Sequence, residues 1–235
     1  MVSTVIKNWD NKTWLSSSDY IKSFNKFLTK QIKLNSKSEI LDIGCGRGKI
    51  IGTLSSKLRL NSKPLGIDLI NHKDKDKRII FKKINASTFF LKNKKKFDLI
   101  LIKQTIHLLN LKEIKKLLQL SKKNLSKKGK ILIFNLDFDK NEIPTFKLMK
   151  IKLTNSLKRD KKILELITKI YPYKKSKFIY KVKILREKYL EMIQKRYIST
   201  LLPMTKSQIQ KGMREIKYKY KKNIKFRDKL ICLIL

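Results

Sequence analysis

Apolar residues recur along this chain in two rhythms, and the change of rhythm divides it. From Asp19 to Ile32, Tyr20, Phe24, Phe27 and Leu28 fall on one face at helical spacing, which predicts an amphipathic helix. Five short β-branched-rich runs follow, at Glu39 to Ile43, Pro64 to Asp68, Ile79 to Ile84, Phe97 to Ile102 and Gly129 to Leu136. The last is introduced by a turn at Lys128-Gly129. Runs of this length bounded by turn residues predict buried strands. Helical stretches separate them at Lys49 to Leu58 and Leu111 to Asn124, with a weak turn at Ala86 to Leu91. Strands alternating with helices predict a doubly wound α/β fold, its parallel sheet covered on both faces.

Beyond Lys140 the pattern is mostly helical. Candidate helices are Lys147 to Leu157, Lys161 to Ile170, Lys177 to Thr200 and Thr205 to Tyr220. Thr205 with Gln208 three residues on makes a capping box after Pro203. Lys225 to Leu235 returns to strand character and is expected to rejoin the sheet. The expected organisation is a leading helix plus α/β core over 1–140, a helical cap over 141–220 and C-terminal strands over 221–235.

Composition changes this picture little. The 235 residues are 41% hydrophobic, enough for a packed core. Cys45 and Cys232 have neither metal-ligand spacing nor enough partners for a disulfide framework, which predicts a reducing, cytoplasmic setting. No signal-peptide pattern opens the chain, and no apolar segment approaches the roughly 20 residues that span a bilayer. No metal cluster is read. The formal charge of +41, from 59 Lys+Arg against 18 Asp+Glu, fits an anionic partner such as nucleic acid. Lysine is nevertheless spread over nearly every segment and far exceeds arginine, which favours compositional background.

The chemistry concentrates at Leu41-Asp42-Ile43-Gly44-Cys45-Gly46-Arg47-Gly48, a glycine loop between a buried strand and the helix opening near Lys49. Glycine there lets a ligand approach the backbone, and the helix start presents unpaired N–H groups to it. The spacing is G-x-G-x-G rather than the dinucleotide G-x-G-x-x-G. Asp42, two residues before the first glycine, suits a cationic or amino-bearing ligand better than a pyrophosphate, which disfavours a nicotinamide dehydrogenase. Gly66-Ile67-Asp68 ends the next strand with an acid about 20 residues on, where a ribose diol is held in such folds. The bland alternative is a glycine turn that only packs a helix on a strand.

With these residues the chain resembles the class I S-adenosylmethionine-dependent methyltransferases, the small-molecule type with a helical insertion. The resemblance implies a Rossmann-like, mostly parallel seven-stranded sheet with a helical cap before the C-terminal strands. It implies that Asp42, Gly44, Cys45, Gly46 and Gly48 hold the methionine part of S-adenosyl-L-methionine and that Asp68 holds the ribose. Asn85 and Ala86 stand where the family often carries an acid and an apolar residue against adenine; Asn85 accepts through its carbonyl or is a plain turn residue. Trp9, Trp14 and Tyr20 resemble the leading helix that closes over the cofactor. Lys103 and His107 follow the fourth strand, where the sheet edge faces ligand. His107 is the candidate general base, with packing under the cap or a place near the sulfonium as alternatives. His72, in the charged loop from Asn71 to Arg78, is expected in solvent.

No Asn/Asp-Pro-Pro-aromatic tetrapeptide follows the fourth strand, and neither cysteine stands where a pyrimidine C5 enzyme needs its nucleophile. A direct transfer to an O, N or C nucleophile remains, most simply of a small molecule. An RNA or tRNA acceptor and a noncatalytic cofactor-binding protein stay open. Tyr171, Tyr173, Phe178, Tyr180, Tyr189 and Tyr197 read either as core or as an aromatic acceptor pocket.

Overall fold

The computed structural model describes residues 13–235, so Trp9 lies outside the described residues. Seven strands form one sheet in the order β3-β2-β1-β4-β5-β7-β6. They are β1 (Ile40–Ile43), β2 (Leu65–Asp68), β3 (Ile80–Lys83), β4 (Phe97–Lys103), β5 (Leu125–Leu136), β6 (Lys174–Leu185) and β7 (Asn223–Ile234). The first five are parallel, and β7 runs antiparallel between β5 and β6. The chain winds outward from β1 in one direction and then from β4 in the other. Their carboxyl ends therefore form the crevice in which such sheets bind ligands.

Strand β4 shows why the parallel strands read as continuous apolar runs. Leu99 and Leu101 face one layer, Ile100 and Ile102 the other, and all four are wholly buried. On the first face lie α1 (Ser18–Gln31) and α2 (Lys49–Leu58). Ser17 caps α1 by accepting from the Tyr20 N–H at 3.2 Å. Tyr20, Phe24 and Leu28 then descend one stripe at a four-residue step with no exposure. Phe24 packs 4.7 Å from Phe134 of β5 and 5.2 Å from Phe178 of β6, ring centre to ring centre. Burying such a ring contributes about 2–3 kcal/mol, so α1 is fixed across the sheet rather than by its own propensity. The other face carries α3 (Ala86–Lys92), α4 (Leu111–Lys123) and α5 (Lys147–Ile170). A third apolar cluster joins the start of α5 with α6 (Arg186–Gln194), α7 (Lys206–Lys219) and the distal halves of β6 and β7. The Thr205–Gln208 capping box opens α7 as the sequence predicts.

Four local expectations are corrected. The helix expected over Lys177 to Thr200 is strand β6 as far as Leu185, then the α-helix Arg186–Gln194 and the start of a 3-10 turn at Ser199–Leu201. Phe178, Val182 and Ile184 alternate inward with lysines between them, and twelve residues pair with β7, so long-range pairing overrides local propensity. The two helices expected from Lys147 to Ile170 are one, since Lys158, Arg159 and Asp160 contain no breaker. The turn expected at Lys128-Gly129 is a register slip in β5 against β4, between the pairs Phe97↔Leu125 and Leu99↔Lys130. A side chain on Gly129 would stand 2.4 Å from the Phe97 carbonyl oxygen, a closeness only glycine allows. Finally, His72 is 2% exposed rather than solvated. Its loop folds back on the glycine loop and α2: the Asp76 N–H donates to the Arg47 carbonyl at 2.9 Å, and Arg78 grips the Asp76 carboxylate at 2.6 and 2.8 Å.

Candidate functional site

The glycine loop connects β1 to α2 at the crevice. Gly44 and Gly48 have φ of 72° and 69°, left-handed conformations that favour glycine. A side chain at Gly44 would lie 2.2 Å from Thr105 Oγ1, so the loop touches the segment that leaves β4. Backbone bonds hold its shape. Gly44 and Cys45 N–H both donate to the Ile67 carbonyl, at 2.9 and 3.1 Å, and Gly48 N–H donates to the Cys45 carbonyl at 2.9 Å. Cys45 is half-buried and leans over β2, where a side chain on Gly66 would meet its Sγ at 2.7 Å. That placement makes it a packing residue of the loop.

Asp68 ends β2 and reaches across to this loop. Its Oδ2 accepts from the Gly46 N–H at 2.8 Å and its Oδ1 from the Ile70 N–H at 2.9 Å. The acid is thus fixed beside the loop, only half-buried, with acceptor capacity left over. Asp42 lies beneath, 3% exposed. Burial pushes its carboxyl from 3.8 up to about 7, with the Lys103 ammonium opposing and Asp68 reinforcing.

Asn85 caps α3, its Oδ1 accepting from the Ser87 N–H at 2.8 Å, and Ala86 begins that helix. The cap keeps Asn85 at the carboxyl end of β3 with one carbonyl lone pair uncommitted. Lys103 is the last residue of β4; its Nζ donates to Gln104 Oε1 at 3.2 Å and lies 5.4 Å from the Tyr20 ring centre and 5.5 Å from that of Phe24. The structure therefore brings Asp42, Gly44, Cys45, Gly46, Gly48, Asp68 and Lys103 to one crevice, and sets Asn85 and Ala86 at the edge of the same sheet.

His107 stands apart in a short turn, Ile106–Leu108, that packs against α5. Burial and the Arg159 guanidinium pull its imidazole from 6.5 down to about 4. At neutral pH it is uncharged, and so weakly basic a ring is a poor proton acceptor. Asp228 of β7 has no role in the reading from sequence, yet it lies buried at the same sheet edge, 1% exposed. Its signal in the sequence is a lone acid between Arg227 and Lys229 in the strand-like C-terminal run of an acid-poor chain. Among the described residues no grouping of His, Cys, Asp and Glu holds a metal ion, and no helix is long and apolar enough to cross a membrane.

No family model and no curated sequence matches the chain. Solved structures do. A methyltransferase from Geobacter sulfurreducens, in complex with S-adenosyl-L-homocysteine, superposes with a TM-score of 0.54 at 13% identity, over 96% of this chain and 95% of the other. One from Thiobacillus denitrificans, with the same ligand, gives 0.52 at 13% identity, over 90% of each chain. The chain has the class I methyltransferase fold. The plantazolicin methyltransferase BamL, solved with a desmethylplantazolicin analogue and S-adenosylhomocysteine, gives 0.53 at 20% identity, over 96% of this chain and 87% of the other. The predicted Rossmann-like, mostly parallel seven-stranded architecture is the one found here, with β7 antiparallel between β5 and β6.

Proposed function

We propose that this protein is a methyltransferase that uses S-adenosyl-L-methionine and acts on a small-molecule acceptor. The observation that carries the reading is the clasp of Asp68 on the Gly46 amide, above a buried Asp42, at the crevice of this fold. A pyrophosphate in that place would meet two carboxylates; a ribose diol and an amino group find acceptors. The donor sites of the neighbouring structures, which contain S-adenosylhomocysteine, support the same reading, as does the analogue-bound plantazolicin enzyme for a small or peptide-derived acceptor.

In this assignment the loop backbone at Gly44, Cys45, Gly46 and Gly48 holds the methionine portion. Asp68 accepts from the ribose hydroxyls, and Asn85 with Ala86 flanks the adenine. Asp42 and Lys103 set the charge beneath and beside the methionine group. The cofactor, when bound, supplies an electrophilic methyl on a sulfonium. The chain's part is to orient that donor, to exclude water and to align an acceptor nucleophile, an effect of positioning more than of acid–base chemistry. The low basicity of His107 agrees with that division of labour.

The test is to incubate the purified protein with radiolabelled S-adenosylmethionine and fractionated extract. Label is expected in the small-molecule fraction. Label confined to RNA would replace the acceptor class. Binding of S-adenosylhomocysteine with no transfer to any fraction would favour a noncatalytic binding protein.

A further inference from the structure

Acids are scarce in this chain, 18 against 59 basic residues, yet four aspartates gather at the ligand edge of the sheet, one of them, Asp137 after β5, paired with Lys177 at 2.9 Å. Asp42 and Asp68 belong to the donor site described above; Asp228 does not. In the antiparallel pairing Leu230 of β7 lies opposite Leu136, the end of β5, so Asp228 stands just beyond that edge, opposite Tyr180 of β6. The Trp14 indole N–H and the Tyr20 hydroxyl lie beside its carboxylate and favour the ionised form, but none of these atoms reaches good hydrogen-bond geometry. A buried polar cluster left this way is costly, and a ligand's charge is one means of offsetting it.

Lys103 links this cluster to the donor site. Its ammonium lies over the Tyr20 and Phe24 rings. It favours ionisation of both Asp42 on one side and Asp228 on the other, while Asp68 adds a second negative charge near Asp42. Tyr20 and Tyr180 close the far side, their rings 5.1 Å apart. Asp42 and Asp228 thus share the Lys103 ammonium along this edge, with Asp68 beside Asp42. A protein of formal charge +41 repels a cationic ligand at long range, so carboxylates close to the ligand must outweigh that repulsion.

We propose that Asp228, acting with Asp42 and Asp68 across Lys103, makes the site selective for the cationic methyl donor over its net-neutral product. The inference rests on the methyltransferase reading. S-adenosylmethionine carries a sulfonium, an ammonium and a carboxylate, a net positive charge. Loss of the methyl group removes the sulfonium charge and leaves a zwitterion. A surplus of buried negative charge therefore holds the donor and releases the product. Burial disfavours ionisation of both Asp42 and Asp228, so arrival of the cation drives proton release as they ionise.

Titration calorimetry on the full chain tests this, with S-adenosylmethionine and S-adenosylhomocysteine as ligands, at a pH of about 6.5, below the midpoint of Asp42, in two buffers of different ionisation enthalpy. Asp228 is two strands from β4, about 10 Å at the usual strand spacing. At an effective dielectric of about 20, Asp228→Asn is expected to weaken donor binding on the order of tenfold and product binding less than about twofold. Donor binding should also release more protons than product binding. Lys103→Met is the second variant, and should raise the donor-to-product affinity ratio, whether or not Asp228→Asn folds. Equal changes for both ligands, or no change in either variant's ratio, would overturn the inference while leaving the donor site standing. A wild-type protein that binds neither ligand would overturn the methyltransferase reading itself.

Discussion

Replacing Asp68 with alanine separates the job that the structure gives this carboxylate from the ribose contact proposed for it. The side chain accepts from the Gly46 amide at 2.8 Å and from the Ile70 amide at 2.9 Å, so it shapes the loop before any ligand arrives. A hydrogen bond to a charged group contributes about 1.5–3 kcal/mol. Asp68 is half-buried and water replaces part of what is lost, so about 2–3 kcal/mol for the two bonds together is the expected loss of stability. Urea denaturation reads it as a lower midpoint at constant slope. The ribose contact is a separate quantity. Its loss should weaken S-adenosylhomocysteine by about 1–3 kcal/mol, or roughly 5- to 150-fold, measured by calorimetry on the folded variant. Asp68→Asn keeps one oxygen acceptor and should fall between alanine and wild type in both measurements. A folded Asp68→Ala protein with unchanged affinity would refute the assignment, because the ribose would then lie elsewhere. Unchanged stability would show that the loop stands without its clasp.

Three further outcomes are expected. Gly44→Ala combines a left-handed backbone with a clash against Thr105, and should lose about 2–4 kcal/mol in a denaturant titration, part of it recovered by Thr105→Ala. Asp42 holds its proton up to about pH 7 in the folded chain but only to about 4 when unfolded, so its contribution to stability is full below the lower value and declines as pH rises through this window. The slope is roughly 1.4 kcal/mol per pH unit, and Asp42→Asn should abolish it in melts between pH 4.5 and 7.5. His107 should titrate near pH 4 by NMR rather than near 6.5, a readily assigned signal in a chain with two histidines. A midpoint above 6 would return it to candidacy as the base.

The strand, glycine loop and acid of the proposed donor site were legible because they are neighbours in sequence. The strand, the glycine turn and the helix start occupy residues 40–49, and Asp68 follows on the very next strand, so short-range spacing sufficed. What escaped depends on pairing between distant segments. In β6 the alternation of Phe178, Tyr180, Val182 and Ile184 was present, but the intervening lysines are also good helix formers, and a real helix begins at Arg186. Only the twelve-residue ladder with β7 decides between the two states. The burial of His72 depends on Asp76 bonding back to Arg47, which a charged loop does not announce.

Asp228 shows the same limit at the point where it matters for function. Its place beside Lys103 exists because β7 inserts between β5 and β6, with the Asp137 N–H donating to the Lys229 carbonyl at 2.8 Å. The two partners of that contact are 92 residues apart in sequence, and the cost of closing a loop grows only slowly with such a length. The fold thereby recruits a carboxylate to a crevice whose other acids come from the first two strands. The charge balance of the site is consequently a property of the closed sheet, and it should vanish with local unfolding of β6 and β7 even where the glycine loop persists. Hydrogen exchange of the β7 amides, followed with and without S-adenosylmethionine, tests this: protection should rise with the donor more than with its product. Equal protection by both ligands would separate β7 from the donor's charge.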